Sequence, residues 1–129
     1  MAVLGSFLAL APMVEPIRAA DFVQDRFVIG MWVAPQTKDD LRVRYREMAD
    51  AGFNLVIGNS PVPVEEQLRV CDEVGLKALV HAPGDVGKWP ENASCWGYLL
   101  KDEPSATDFP ALAKAVSEVR SQRPGRLAY

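Results

Sequence analysis

Histidine occurs once in this chain, at His81, and cysteine only twice, at Cys71 and Cys95. A lone histidine cannot build a His-rich metal centre, and the two cysteines lack the near-neighbour spacing of a zinc site. They are also too few for a disulfide scaffold. Two buried free thiols are expected, since free cysteine is among the most buried residue types, and no metal or cofactor is implied. Positive charge is neither in excess nor clustered: 14 Lys and Arg stand against 17 Asp and Glu, for a net charge of -3. Such a surface has no basic footprint for nucleic acid or an anionic membrane, so nucleic acid is excluded as the main partner. Glycine-rich phosphate loops are missing as well. Ala34-Pro35-Gln36-Thr37 and Asn59-Ser60-Pro61 lack the glycines that let backbone approach a phosphate.

Long apolar runs are scarce, and the one at the start, Ala2 to Val14, is shorter than the roughly 20 residues a membrane-spanning helix needs. It leads through Glu15 and Pro16 to Arg18-Ala19-Ala20-Asp21. That order resembles the apolar region and small-residue cleavage site of a secretory signal, although no Lys or Arg precedes the run. Residues 1–20 are therefore expected to be a signal peptide, and the protein to be secreted or periplasmic. The remainder, 21–129, has the size of one domain, and a hydrophobic share of 49% with 24% charged residues is that of a globular one. Beyond Pro124-Gly125, Arg126-Leu127-Ala128-Tyr129 reads as the beginning of a further strand. The chain is accordingly expected to be a fragment of something longer.

Between these ends the pattern alternates. Phe27 to Val33 is a continuous apolar run of strand length, suited to a strand covered on both faces. Thr37 and Asp40 suggest a capping box for a helix carrying Leu41, Tyr45, Met48 and Ala49, ended by Gly52. Phe53 to Ile57 predicts a second strand, closed by the turn residues Gly58 to Pro61. Val64, Leu68, Cys71 and Val74 recur at helical spacing, with Glu65 and Glu66 in the first turn and Gly75 as terminator. Leu76 to His81 predicts a third strand. From Ala82 to Ser94 the composition turns to Pro, Gly, Asp and Asn, predicting a long loop with at most one helical turn. Cys95 to Leu100 is the fourth strand, stopped by Lys101-Asp102-Glu103-Pro104, where Pro104 biases Glu103 towards extended geometry. Ser105 to Asp108 then caps a helix with Phe109, Leu112, Val116 and Val119 on its apolar side, and Pro110 fits its first turn.

Strands of buried type alternating with helices imply an α/β fold with a parallel sheet and right-handed crossovers. About four βα units and the start of a fifth strand amount to half of a (β/α)8, or TIM, barrel. A doubly wound sheet has the same local pattern and is the alternative. In either, binding sites gather at the C-terminal ends of the strands. Trp32, Gln36, Asn59, His81, Asp85, Asp102 and Glu103 would collect there, with Trp89 in the long loop as a further aromatic surface. Aromatic faces that stack on C–H surfaces, together with carboxylates and amides that fix hydroxyls, suit a sugar. Trp96 and Tyr98, inside the fourth strand, are expected in the core.

An apolar strand ending in Asp102-Glu103-Pro104 as the fourth βα unit resembles the Asn-Glu-Pro signature of the large clan of retaining glycoside hydrolases built on (β/α)8 barrels. The resemblance implies hydrolysis of O-glycosidic bonds with Glu103 as general acid/base. It gives Asp102 the place of the sugar-binding Asn, and His81 and Trp32 strand ends that hold substrate in the clan; Asn59 and Trp89 complete the expected substrate contacts. Asp102 departs from the clan's Asn by placing a charge beside the candidate acid. The clan's nucleophile, a Glu at the end of the seventh strand, has no counterpart in this chain. A non-catalytic carbohydrate- or partner-binding α/β domain is the other reading. Strands left unpaired at the sheet's two edges would also favour self-association.

Overall fold

The computed structural model describes residues 21–129; the expected signal peptide, residues 1–20, lies outside them. A five-stranded sheet runs β1 (Gly30–Met31), β2 (Leu55–Ile57), β3 (Lys77–Val80), β4 (Cys95–Tyr98) and β5 (Leu127–Ala128), in that spatial order. Every neighbouring pair is parallel. Three helices, α1 (Leu41–Asp50), α2 (Val64–Val74) and α3 (Phe109–Gln122), supply crossovers. A doubly wound sheet needs a point where strand order reverses, and among the described residues this sheet has none.

With right-handed crossovers, a sheet laid down in sequence order puts all its helices on one face. The core divides accordingly. Val56, Ala78, Val80, Cys95 and Tyr98 pack with Leu41, Tyr45 and Met48 of α1, Leu68, Cys71 and Val74 of α2, and Val119 of α3. The opposite face presents Leu55, Leu79 and Trp96, joined by Ile57, Leu127 and, from the segment before β1, Phe22 and Val28. Phe22 meets the Trp96 ring edge-on at 5.4 Å and the Arg26 guanidinium lies 5.6 Å from its centroid.

Helix ends follow their local chemistry. Gly75 closes α2 in the left-handed conformation at φ 80°, which a side chain rarely adopts. Ser105 and Asp108, where a cap was expected, form a capping box ahead of α3. At α1 the expected box does not form: Asp40 is the N-cap and no side chain bonds the free N–H groups. The crossover from β3 to β4 contains no α-helix, only a 3-10 turn at Val86–Lys88 whose first N–H groups lean on Asp85, with Gly87 N–H donating to its carboxylate at 3.0 Å. Arg123 donates to the Gly87 and Trp89 carbonyls at 2.7 and 3.1 Å and holds this loop against the sheet.

Two details of the sheet differ from the sequence pattern. The run Phe27 to Val33 pairs only at Gly30–Met31, and Phe27 and Val33 are 83% and 61% exposed rather than covered. As an edge strand β1 has one neighbour, and Asn54 ties the preceding segment by accepting from Ile29 N–H and donating to the Phe27 carbonyl. In β4, Ala78 pairs with Cys95 but Leu79 with Gly97, so Trp96 is an inserted residue. This β-bulge leaves Cys95 and Tyr98 both facing the helices while Trp96 turns to the other side.

The two edges of the sheet approach each other through their side chains. Four inter-strand steps of about 4.8 Å would separate β1 from β5 by roughly 19 Å if flat. Yet Trp32, just past β1, and Tyr129, just past β5, bring their rings within 6.5 Å of each other at 68°. The two edges thus lean together at the C-terminal rim.

Candidate functional site

The strand tips form a depression of about 320 Å³, lined by Trp32, Gln36, Asn59, His81, Leu99 and Asp102 among others. Residues from the ends of β1, β2, β3 and β4 therefore share one concavity, and five of them are positions expected from strand order alone. The rim is built largely by side chains that continue the ladder beyond the strands. Asn59 donates from Nδ2 to the His81 carbonyl and accepts the His81 N–H at Oδ1, both at 2.9 Å. Gln36 donates to the Ala34 and Asn59 carbonyls at 2.8 and 3.1 Å. Asn59 thus acts first as a clasp between two strand tips, and its place in the depression follows from that.

Beneath the β2 tip lies a buried polar network that periodicity did not anticipate. Gln67 of α2 accepts from Ser60 N–H and donates to the Gly58 carbonyl, each at 2.8 Å, and the Ser60 hydroxyl meets the Tyr45 hydroxyl at 2.9 Å. All three side chains are buried. A polar group at such a position is costly unless bonded, and here every bond fixes the loop that carries Asn59. Burial pushes the Tyr45 phenol well above its ordinary range. Gln67, one turn from Val64, Val70 and Cys71 on a buried face, was the signal available in the sequence.

The motif at the tip of β4 is exposed from Lys101 to Pro104. Asp102 reaches the depression; Glu103 lines neither it nor the apolar cavity beside it, which Trp89, Leu99 and Leu112 line. Among the described residues Glu103 is the one non-glycine residue with positive φ, 45°. The residue before a proline is kept out of the right-handed helical region, and Glu103 takes the left-handed alternative instead of the extended geometry expected. A left-handed non-glycine residue costs on the order of 1–3 kcal/mol and persists only where its surroundings impose it. The frame behind it is firm. Lys101 donates to Asp108 at 2.6 Å, and Ser105 N–H and hydroxyl reach the same carboxylate at 2.8 and 2.7 Å. The hydrogen bond from Lys101, then those from Ser105, pull the Asp108 carboxyl down to about 2.

Trp32 is half exposed with its ring against Tyr129. Trp89 is not a free platform: its ring packs on Tyr98 at 4.7 Å and its indole N–H donates to the Pro83 carbonyl at 3.2 Å. Asp85 caps the 3-10 turn and faces Lys88 at 3.7 Å, away from the depression. Trp96 and Tyr98 are core residues, as expected. Cys71 and Cys95 are buried free thiols; burial above all pushes Cys71 up to about 12 and raises Cys95. Among the described residues no group of His, Cys, Asp and Glu could hold a metal ion, and no helix is long and apolar enough to cross a membrane.

No protein-family model, no curated protein and no solved structure matches this chain.

Proposed function

We propose that this chain forms the first part of a (β/α)8 barrel and carries the general acid/base of a secreted glycoside hydrolase, Glu103, at the tip of its fourth strand. The observation that supports the reading most is a five-stranded parallel sheet in unbroken sequence order whose two edges bring Trp32 and Tyr129 together over one rim. A sheet whose edges approach in this way, with helices on one face only, is the geometry from which a closed barrel is made. On that rim the Asp102-Glu103-Pro104 motif supplies an exposed carboxyl group held by an unusual backbone, which is how constrained functional residues are often found.

In this reading the sugar lies in the polar depression, against Trp32 and within reach of His81 and Asp102. Glu103, protonated, gives its proton to the glycosidic oxygen as the bond to the anomeric carbon breaks, so that the leaving group departs as an alcohol. As a carboxylate it then takes a proton from the water that attacks the anomeric carbon, and is restored. A retaining mechanism needs a second carboxyl group about 5–5.5 Å away; the resemblance expects it at the end of a seventh strand.

A second reading, carbohydrate binding without catalysis, is favoured by one observation: Glu103 lines neither concavity, whereas Trp32, His81 and Asp102 share one. Glu103→Gln and Trp32→Ala separate the two, measured for turnover and for sugar binding in the proposed whole-barrel protein. Catalysis by Glu103 requires turnover to fall in the first variant with binding kept. Unchanged turnover refutes the catalytic role.

A further inference from the structure

The missing helix of the β3-to-β4 crossover has a consequence in the helix layer. Where other crossovers place a full helix, only the 3-10 turn and Trp89 stand between α2 and α3, and α3 is left with a poorly covered apolar side. Of its expected stripe only Val119 is buried; Leu112 and Val116 are half-buried and Phe109 is 58% exposed. The space so left is a cavity of about 580 Å³ lined by Trp89, Leu99, Leu100, Leu112 and Ala115, with the Lys101–Asp108 ion pair at its wall. That volume lies in the range of small-ligand sites, which are mostly apolar with a few polar groups. His81 and Leu99 line both this cavity and the polar depression, so the two adjoin at the rim.

We propose that this slot binds a planar aromatic ring, and that in the glycosidase reading, on which only this second step rests, the ring is the aromatic substituent of a glycoside whose sugar occupies the adjoining depression. The chemistry of the walls selects it. Apart from His81 and the Lys101–Asp108 pair, whose two members already satisfy one another, the side chains of Leu99, Leu100, Leu112 and Ala115 offer no polar group to satisfy a sugar's hydroxyls, and an unpaired hydroxyl buried among them would be costly. Trp89 is fixed by its bond to Pro83 and its packing on Tyr98, so its exposed edge is a preformed aromatic contact that a ring can use at little entropic cost.

The test uses the full chain and p-nitrophenol, titrated calorimetrically. Saturable binding is expected in the wild type. Ala115→Phe, which fills the slot, should weaken it at least about tenfold, while Ala113→Phe, on the exposed side of the same helix, should leave it unchanged. Absence of saturable binding, or equal affinity in the Ala115→Phe protein with its fold intact by circular dichroism, overturns the proposal. Binding of p-nitrophenol by the wild type is read without turnover, so failure of the glycosidase reading is registered in the turnover of Glu103→Gln and is distinguishable from failure of the slot.

Discussion

Replacing Gly97 by alanine should damage this fold more than any other single methyl group added to its sheet. A Cβ at Gly97 would lie 2.1 Å from the Leu127 carbonyl oxygen and 2.7 Å from the backbone carbon and nitrogen of the same residue. Carbon and oxygen ordinarily approach no closer than about 3.3 Å, so β4 and β5 would have to part by roughly 1 Å. The bonds beyond the pair, Leu100 N–H to the Tyr129 carbonyl at 2.7 Å and Tyr129 N–H to the Tyr98 carbonyl at 2.9 Å, then exceed hydrogen-bonding range. Two such bonds at about 1 kcal/mol each, with strain of about 1–3 kcal/mol for overpacking, give a loss on the order of 3–5 kcal/mol. Gly30 in β1 is the control, because a Cβ there meets nothing closer than 3.6 Å. Urea unfolding followed by tryptophan emission reads the difference; with a slope of about 2 kcal/mol per molar, the midpoint of Gly97→Ala should fall by about 1.5–2.5 M relative to Gly30→Ala. Equal midpoints would refute the close approach of β4 and β5, and with it the seating of Tyr129 opposite Trp32.

Three further outcomes are expected. The Asp108 carboxyl sits at about 2 in the fold, against an ordinary 3.8. Its ionised form is therefore favoured by folding, and its contribution is full above about pH 4 and lost as pH falls towards 2; acid titration of the urea midpoint should show this loss, and Asp108→Asn should remove it. Cys71 and Cys95, buried and with raised thiol values, should react with an aromatic disulfide reagent only as fast as the chain unfolds; prompt reaction in the native state would contradict their burial. Phe27, Ile29, Trp32 and Val33 are exposed along the β1 edge, an arrangement that promotes pairing with another chain. Light scattering should detect self-association, and a concentration-independent monomer would contradict it.

Much of this fold was legible locally. Gly52 and Gly75 mark helix ends because few other residues take positive φ, and β2, β3 and β4 fall inside the apolar runs that predicted them. The rim followed from strand order: Trp32, Gln36, Asn59, His81 and Asp102 meet as a parallel sheet requires. What was not legible depends on non-local partners. Apolar residues from Phe27 to Val33 read as a doubly covered strand, but cover comes from neighbours, and an edge strand has one. The bulge at Trp96 arises from pairing register with β3, which no property of Cys95-Trp96-Gly97-Tyr98 alone specifies. Glu103 read as extended because Pro104 excludes the right-handed region, while its left-handed backbone is a tertiary outcome. Trp89 looked free in a loop of Pro and Gly, and only the folded path of that loop lays it on Tyr98.

The measurement that bears most directly on Glu103 compares leaving groups. In the proposed whole-barrel protein, turnover of alkyl and p-nitrophenyl glycosides is measured for wild type and Glu103→Gln. An alkoxide leaves only when protonated, whereas p-nitrophenolate leaves without help. If Glu103 is the general acid, kcat/KM on the alkyl glycoside falls by about 10²–10⁴ and bond cleavage of the p-nitrophenyl glycoside is far less affected. Equal rates for wild type and variant on both substrates, or equal losses on both, would contradict that role.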